Sequence, residues 1–273
     1  LPPPKKQMHK GHFSMKILFM GRKQVSANLL RFLTKQDHIE IVGVLTDSHL
    51  QGSPTTAAAQ ELGLPLYTFD TALEAMREGR LKYDLGLSVL YWRKLRDEFL
   101  SIPTLGTINF HPALLPEYKG TGGYNLAIMD ELNQWGNTAH YVDASIDTGE
   151  IIEVDRFPID AETETAQSLE RKTMQALEDF ARRIITRAIE SKTKLPTTPN
   201  IGGRYVSRDE MEAMKQICDG DDIEKKIRAF WFPPYDGAYV EINGQKYTLI
   251  NRQLLEEIAP KGSTSLFAGK TNA

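Results

Sequence analysis

Short apolar segments alternate with segments of helical spacing over the first ninety residues, and this alternation restricts the fold more than any other feature. Strands are predicted at 15–20, 39–45, 66–69 and 83–89, and helices at 25–36, 54–62 and 72–79. A β-α-β-α-β order is typical of a parallel sheet with helices on both faces. We therefore predict an α/β fold built on a Rossmann-like, doubly wound, mostly parallel sheet.

The pattern continues beyond residue 100 as two further strands, at 103–110 and 138–142, and one long helix at 165–193. That helix has a single apolar stripe, as expected for a helix packed on a sheet. Pro196 and Pro199 break it and mark a boundary. We predict a catalytic domain over residues 15–195.

The segment that follows the boundary has a different sequence pattern from the α/β part. Alternating apolar residues on both sides of Asn243-Gly244 predict a β-hairpin, so residues 196–260 are expected to form a small C-terminal subdomain. The polar segment 261–273 is expected to be a flexible tail. Residues 1–14 have no apolar core and are typical of an expression leader, with Met15 as the expected native start and no role for His9 or His12.

Composition limits the class of protein. The 273 residues carry a formal net charge of -3, which argues against binding of bulk nucleic acid. The single cysteine, Cys218, rules out an internal disulfide and fits a reducing cytoplasm, and no apolar run is long enough to span a membrane. No HExxH motif, cysteine pair or acidic triad is present in the sequence, so no metal is expected.

The stretch 108–152 contains the residues with the clearest chemistry. Asn109 and His111 end a predicted strand two residues apart, so both side chains can point into one cavity, and Asp147 follows in a DTG motif. An amide, an imidazole and a carboxylate can together hold an oxyanion, move a proton and fix a tautomer. No cysteine or serine nucleophile lies beside them, which favours direct attack by a substrate amine.

His111 and a second histidine, His140, can also be interpreted as structural residues. A lone His111 is more often a satisfied core residue than a catalytic one, and only its combination with Asn109 and Asp147 favours catalysis. His140 lies in the strand segment TAHYV, where alternation turns it towards the core or a helix. We therefore expect His140 to be structural.

Four other segments are candidate ligand contacts. Arg22 and Lys23 follow the first strand without a GxGxxG pattern, and they either bind a phosphate at the helix N-terminus or form a solvated turn. The segment 87–95 ends a strand at the edge of the sheet where α/β proteins bind ligands, and core packing of Tyr91 and Trp92 is the alternative.

The remaining two segments are a glycine-rich loop and an aromatic cluster. The loop KGTGG, at 119–123, either passes close to a ligand or is a surface turn before a helix at 124–132. The aromatic residues around Pro233-Pro234 follow Arg228, and they either stack a nucleobase or form a small core or dimer patch.

The combination of NFHPALLPEYKG with DTGEII resembles the folate-dependent formyltransferases over residues 15–188. Asn109, His111 and Asp147 fall on the Asn/His/Asp catalytic set of that family. The chain departs from the usual motif at Ala113, where the family has serine, and at Lys119, where it has arginine. Neither departure touches the three catalytic positions.

The resemblance implies a set of ligands and contacts. The co-substrate is 10-formyltetrahydrofolate, without a metal, and Asp147 is expected to orient His111 and to raise its pKa. The expected folate contacts are Ser88, Val89, Leu90, Tyr91, Trp92, Asp143 and Ile146. The expected acceptor contacts are Arg22, Lys23, Lys94, Gly120, Thr121, Gly122, Arg204, Trp231, Phe232 and Tyr235, with thymine near the three aromatic rings.

Among the members of this family, the C-terminal segments resemble the nucleotide-sugar N-formyltransferases that act on dTDP-linked amino sugars. The resemblance implies an acceptor such as dTDP-4-amino-4,6-dideoxyglucose, a role in making sugars for the O-antigen of lipopolysaccharide, and a possible homodimer contact through the hairpin. A methionyl-tRNA formyltransferase and a non-catalytic folate- or nucleotide-binding module remain as alternatives.

Overall fold

A computed structural model describes residues 14–46 and 52–259 of the chain. The expectations for His9, His12, most of the leader and the tail lie outside the described residues. The strands are β1 Met15–Gly21, β2 Ile39–Leu45, β3 Leu66–Tyr67, β4 Leu85–Val89, β5 Thr107–His111, β6 Tyr118–Gly120, β7 Gln134–Tyr141, β8 Ile151–Pro158, β9 Arg204–Val206, β10 Tyr239–Ile242 and β11 Gln245–Thr248. The helices are α1 Gln24–Leu33, α2 Pro54–Glu61, α3 Phe69–Arg77, α4 Asp97–Ser101, α5 Gly123–Met129, α6 Ala166–Ser191, α7 Arg208–Met214, α8 Ile223–Phe230 and α9 Arg252–Ile258.

Seven strands form the central sheet in the order β3-β2-β1-β4-β5-β7-β8. The first five of these run parallel, and β7 and β8 extend the sheet antiparallel beyond β5. Helices α1 and α6 pack on one face and helices α3 and α4 on the other, each over a separate cluster of buried apolar residues. The predicted α/β sheet, Rossmann-like and mostly parallel, is confirmed.

The strand boundaries differ from the prediction where local capping decides them. Thr68 caps α3 through its side chain, so the helix begins at Phe69 and β3 is only two residues long. The fifth strand begins at Thr107 rather than at 103, because Pro103 accepts a turn hydrogen bond from Gly106. The edge strand β8 was not predicted, although it pairs with β7 over most of its length.

Helix α6 matches the predicted long helix closely. Thr165 and Ser168 form a reciprocal capping box at its N-terminus, and Lys192 ends it in a left-handed conformation with φ 55°. Its predicted stripe is buried: Leu169, Leu177 and Phe180 face the sheet or the neighbouring core.

Residues beyond Pro196 share a core with the rest of the molecule. Met211, Ile227 and Phe230 are buried in one cluster with Leu126 and Trp135, which belong to the part before the boundary. The segment 196–259 therefore packs onto α5 and β7 instead of enclosing a core of its own.

The predicted hairpin forms with β10 paired to β11. Asn243 and Gly244 both have positive φ, as a two-residue hairpin turn requires. Among residues 14–46 and 52–259, no helix has the length and apolarity needed to cross a membrane.

Candidate active site

The centre of the site is a row of three residues on adjacent strands. Ser88 on β4 lies opposite Asn109 on β5, and Asn109 lies opposite His140 on β7. His111 follows on the same face of β5, as the period of a strand predicts. The sheet therefore brings His140 on β7 together with the three polar side chains on β4 and β5. Ligands of α/β sheets bind at the carboxyl ends of such parallel strands.

Hydrogen bonds fix the orientation of the Asn109 amide. The Ser88 hydroxyl donates to Asn109 Oδ1 at 2.8 Å, and Asn109 Nδ2 lies 3.0 Å from His140 Nε2. His140 Nδ1 lies 2.8 Å from the Tyr141 carbonyl, which only accepts, so Nδ1 carries the proton and Nε2 accepts from Asn109 when the ring is neutral. The second N–H of the Asn109 amide can then donate to a substrate oxygen.

His111 is held by one ring nitrogen. Its Nε2 lies 2.9 Å from the Tyr118 carbonyl and therefore carries the proton of the neutral ring. Nδ1 is then the basic nitrogen, and it lies 3.6 Å from Asp147 Oδ2. The two groups are neighbours at a distance longer than a hydrogen bond.

Asp147 reaches this row from the loop after β7. Its Oδ2 accepts a hydrogen bond from the Gly120 N–H at 3.0 Å, and its Oδ1 lies 3.7 Å from His140 Nε2. Burial opposes the charge of Asp147, but the positive charge that His111 carries in acid, the nearby His140 imidazole and the hydrogen bond from the Gly120 N–H outweigh it and bring the pKa to about 2. The carboxylate is thus ionised at neutral pH.

The pKa of His111 is not raised overall, although Asp147 acts on it in the expected direction. Burial, which disfavours the charged imidazolium, lowers the pKa of His111 below its usual 6.5. The Asp147 carboxylate acts in the opposite direction, as predicted, but it is outweighed. His111 is therefore neutral, with a bare Nδ1, at neutral pH.

His140, predicted to be structural, lies among the candidate catalytic residues: its imidazole contacts Asn109 and lies near Asp147. Its ring centroid is 6.5 Å from that of His111, and the two rings are close to perpendicular. The sequence shows that His140 lies in a strand, but not that this strand pairs antiparallel with the strand of Asn109. That pairing alone turns His140 towards the site.

The expected folate segment lies at the end of β4 beside these residues. The backbone turns sharply at Leu90, whose φ is 58°, and its carbonyl accepts a hydrogen bond from Arg22 Nε at 3.3 Å. The Ser26 hydroxyl donates a hydrogen bond to the Val89 carbonyl at 2.9 Å. Trp92 is 51% exposed, whereas Tyr91 packs against the core on one side of the sheet.

Two of the expected folate contacts have structural partners. The Ser88 hydroxyl is used in holding Asn109. Asp143 accepts hydrogen bonds from the Ser145 N–H at 3.0 Å and from Thr148 at 2.6 Å, so one of its oxygens shapes the loop that leads to Asp147. Ile146, in the same loop, is exposed.

The expected phosphate contacts differ in their surroundings. Lys23 forms an ion pair with Glu170 on α6. Arg204 pairs with Asp130, and its guanidinium lies 5.3 Å from the centre of the Tyr118 ring. These two cations are engaged within the protein, whereas Lys94 is exposed.

The glycine-rich loop lies beside the candidate catalytic residues, between β6 and α5. Gly120 donates to Asp147, Thr121 donates its N–H to the Val206 carbonyl at 3.1 Å, and Gly122 caps α5. The ring of Tyr205 covers Gly120 so closely that a Cβ there would lie 2.7 Å from it.

The aromatic cluster divides into a core residue, a half-buried residue and an exposed one. Trp231 is 9% exposed and packs in the cluster shared with α5 and β7, so the core interpretation holds for it and thymine stacking on its ring is not favoured. Phe232 and Tyr235 have ring centroids 6.0 Å apart, and Tyr235 is 67% exposed.

Comparison with known proteins gives relatives of one kind. The family described as Formyl transferase matches residues 15–185. The methionyl-tRNA formyltransferase of Chlamydia caviae is 30% identical over 242 residues, which cover 85% of this chain and 71% of that protein. The enzyme of the same name from Lysinibacillus sphaericus is 29% identical over 241 residues, which cover 82% of this chain and 74% of that protein.

Solved structures show the same architecture. The N-formyltransferase of Helicobacter canadensis, in complex with folinic acid and dTDP-3-aminofucose, has a TM-score of 0.67 and 25% identity, covering 85% of this chain and 86% of that one. A 4-N formyltransferase from Francisella tularensis has a TM-score of 0.70 at 21% identity, covering 88% and 97%, and shares the fold. With the family match over residues 15–185, these findings show that the chain belongs to the formyl transferase family.

Proposed function

We propose that the chain is a sugar N-formyltransferase that moves the formyl group of 10-formyltetrahydrofolate to the primary amine of a dTDP-linked amino-deoxy sugar. The observation that carries this proposal is the convergence of Asn109, His111 and Asp147 at the carboxyl ends of β4 and β5. These three groups, which are distant in sequence, supply a hydrogen-bond donor, a base and a carboxylate around one acyl carbon.

Asn109 is suited to stabilise the oxyanion that forms when the amine attacks the formyl carbon. Its Oδ1 is held by Ser88, so its nitrogen presents N–H groups in a fixed direction. A donor that is already oriented loses little on reaching the transition state, and removing one such donor typically costs ~3 kcal/mol in activation free energy.

His111 is the better base for the amine proton. Asp147, with a pKa of about 2, is a weak base at neutral pH. His111 is neutral there, and its bare Nδ1 faces Asp147 across 3.6 Å. An amine bound beside both groups can give its proton to Nδ1 as it attacks the formyl carbon, and the carboxylate then stabilises the imidazolium. The imidazolium returns this proton to the folate nitrogen as the bond between that nitrogen and the formyl carbon breaks, which releases tetrahydrofolate.

The folate is proposed to lie along residues 88–92, with backbone groups as its main polar contacts. The exposed Trp92 and Ile146 offer apolar surface for a flat ring on the two segments that lead to the catalytic residues. The Helicobacter canadensis relative was solved with folinic acid, which supports a folate as the ligand of this site.

A sugar acceptor is favoured over tRNA by charge and by structural similarity. Residues 196–260 contain eight Lys and Arg residues and eleven Asp and Glu residues, which suits a polyanionic partner poorly. The match to the relative solved with dTDP-3-aminofucose covers 86% of that relative's chain. Arg22, Lys94, Phe232 and Tyr235 are the proposed nucleotide contacts, and a homodimer through the hairpin and a part in O-antigen synthesis remain proposals.

Methionyl-tRNA formyltransferase is the second candidate, because the relatives found by sequence carry that name. A folate- or nucleotide-binding module without catalysis is the third. The protein is mixed with 10-formyltetrahydrofolate and, in separate reactions, with dTDP-linked 3-amino and 4-amino sugars and methionyl-tRNA. Mass spectrometry of the acceptor then shows where a formyl group has been added.

A formyl adduct on an amino sugar, with release of tetrahydrofolate, is the expected result. A formyl adduct on methionyl-tRNA alone would replace the sugar proposal by the second candidate. Folate binding without any formyl transfer would leave only the binding module. The identity of the best sugar in the panel also decides between amines at C3 and C4.

A further inference from the structure

A segment from the C-terminal part of the chain crosses the site. We call residues 197–206 the strap. At its start, Thr198 exchanges two backbone hydrogen bonds with Ile151, of 2.8 and 2.9 Å, and at its end β9 pairs with β6. The strap therefore connects the loop that carries Asp147 with the loop that precedes α5.

Asn200, in the middle of the strap, contacts the backbone of the Asp147 turn. Its Nδ2 donates to the Asp147 carbonyl at 3.0 Å and to the Gly149 carbonyl at 2.9 Å. Asp147 itself has a φ of 54°, a left-handed conformation that an L residue adopts only when its surroundings hold it there. The direction of the Asp147 carboxylate depends on that conformation.

The other end of the Asn200 amide is not used. Its Oδ1 is buried and has no hydrogen-bond partner among the residues that the structure describes. A buried acceptor without a partner opposes folding, so an amide placed in this way is a poor stabiliser of the fold. The contribution of the Asn200 side chain is the pair of hydrogen bonds that its nitrogen donates to two carbonyl groups.

We propose that Asn200 is a positioning residue of the formyl transfer reaction, which fixes the turn at Asp147 and so aims the carboxylate at His111. Only the kinetic part of its test rests on the proposed function. The strap thereby makes the catalytic geometry depend on a residue beyond the match to the family, which ends at residue 185.

The test compares Asn200→Asp and Asn200→Ala with a control in the same strap. Asp has nearly the shape of Asn but cannot donate to the two carbonyl groups. Thr197→Ala removes a hydrogen bond of 3.0 Å from the strap to Glu150 and leaves the contacts of Asn200 intact. Steady-state kinetics and the NMR titration of the His111 ring, assigned with His111→Gln, are measured for each variant.

Both Asn200 variants should lose kcat by about a hundredfold, because a displacement of a catalytic group by ~1 Å slows the reaction by that factor. The KM values for donor and acceptor should change little. The pKa of His111 should fall below that of the wild type, since the carboxylate that raises it has moved away. Thr197→Ala should match the wild type in both measurements.

An unchanged His111 titration in folded Asn200→Ala, which adds no charge, would overturn the proposal, whatever the value of kcat. So would a kcat equal to that of the wild type, or a loss that follows the unfolded fraction measured by circular dichroism. The titration needs no substrate. If the wild type formylates none of the sugars, the proposed function fails, and the titration still decides the role of Asn200.

Discussion

At the scale of single residues, the orientation of one amide depends on two neighbours. Ser88 fixes the oxygen of Asn109, and neutral His140 accepts from its nitrogen. The Tyr141 carbonyl holds the proton of His140 on Nδ1, so this tautomer of His140 is part of the proposed oxyanion site.

Substitution of His140 tests this role. In His140→Leu the Asn109 amide loses its acceptor, and we expect kcat to fall by about tenfold, or ~1.4 kcal/mol in activation free energy. His140→Gln retains an oxygen that can accept from Asn109, and it should lose less. Steady-state kinetics at saturating donor and acceptor give both values, and a wild-type kcat in His140→Leu would show that Ser88 alone orients the amide.

The lowered pKa of His111 predicts a loss of stability in acid. The pKa of His111 is below 6.5 in the folded protein, so between that value and 6.5 the unfolded chain binds a proton that the folded chain does not. Stability therefore rises with pH in this window and falls as the pH drops through it.

Urea unfolding of the wild type and of His111→Gln between pH 7 and pH 5 measures this effect. Glutamine retains a donor for the Tyr118 carbonyl but does not titrate. The wild type should lose on the order of 1 kcal/mol of unfolding free energy per pH unit more than the variant. Parallel pH profiles would contradict the lowered pKa.

At the scale of elements, the strap is held by a close approach of two backbones. A Cβ on Gly203 would lie 1.6 Å from the Pro116 carbonyl oxygen, in the loop that follows β5. Gly202 has a similar positive φ but no atom within 4 Å of such a Cβ. The two adjacent glycines therefore separate the effect of backbone conformation from that of contact.

We expect Gly203→Ala to destabilise the fold by ~2 kcal/mol or more beyond its matched control, Gly202→Ala, because the strap must move away from the Pro116 loop. Thermal unfolding monitored by circular dichroism measures the difference. Equal melting temperatures for the two variants would mean that the strap adapts without cost.

The elements predicted from the sequence are those with strong local signals. The apolar strands β1, β2 and β4, the capped helix α6 and the Asn-Gly hairpin need little beyond local periodicity and turn chemistry. The edge strand β8 and the strands β6 and β9 were missed. The two short strands exist only because distant segments, Tyr118–Gly120 and Arg204–Val206, meet in the fold.

At the scale of the whole molecule, the sequence predicted which residues come together better than it predicted their electrostatics. Asn109 and His111 share one face of β5, and the loop that leaves the antiparallel strand β7 returns to place Asp147 beside His111 and Gly120. The inclusion of His140 and the contacts of Asn200 depend on strand pairing and on a crossing of the chain that no local pattern reveals. The pKa of His111 depends on burial, which a sequence motif does not contain.

The charge of the molecule makes a prediction about its acceptor. With a net charge of -3 and an acidic segment at 196–260, the protein should bind a small nucleotide sugar with weak salt dependence. The KM for the best dTDP-sugar should change little between 50 and 200 mM salt, whereas a protein that neutralises several phosphates of a nucleic acid loses orders of magnitude in affinity over that range. A steep rise of KM with salt would favour an extended polyanionic acceptor.

The central claim is that one carboxamide, one imidazole and one carboxylate act on a single formyl carbon. Its most direct test is the rate of formyl transfer from 10-formyltetrahydrofolate to the best acceptor in Asn109→Ala, His111→Ala and Asp147→Ala, each with its fold checked by circular dichroism. Each variant should keep the wild-type spectrum and lose about a hundredfold or more in kcat. Turnover near that of the wild type in folded His111→Ala would contradict the account.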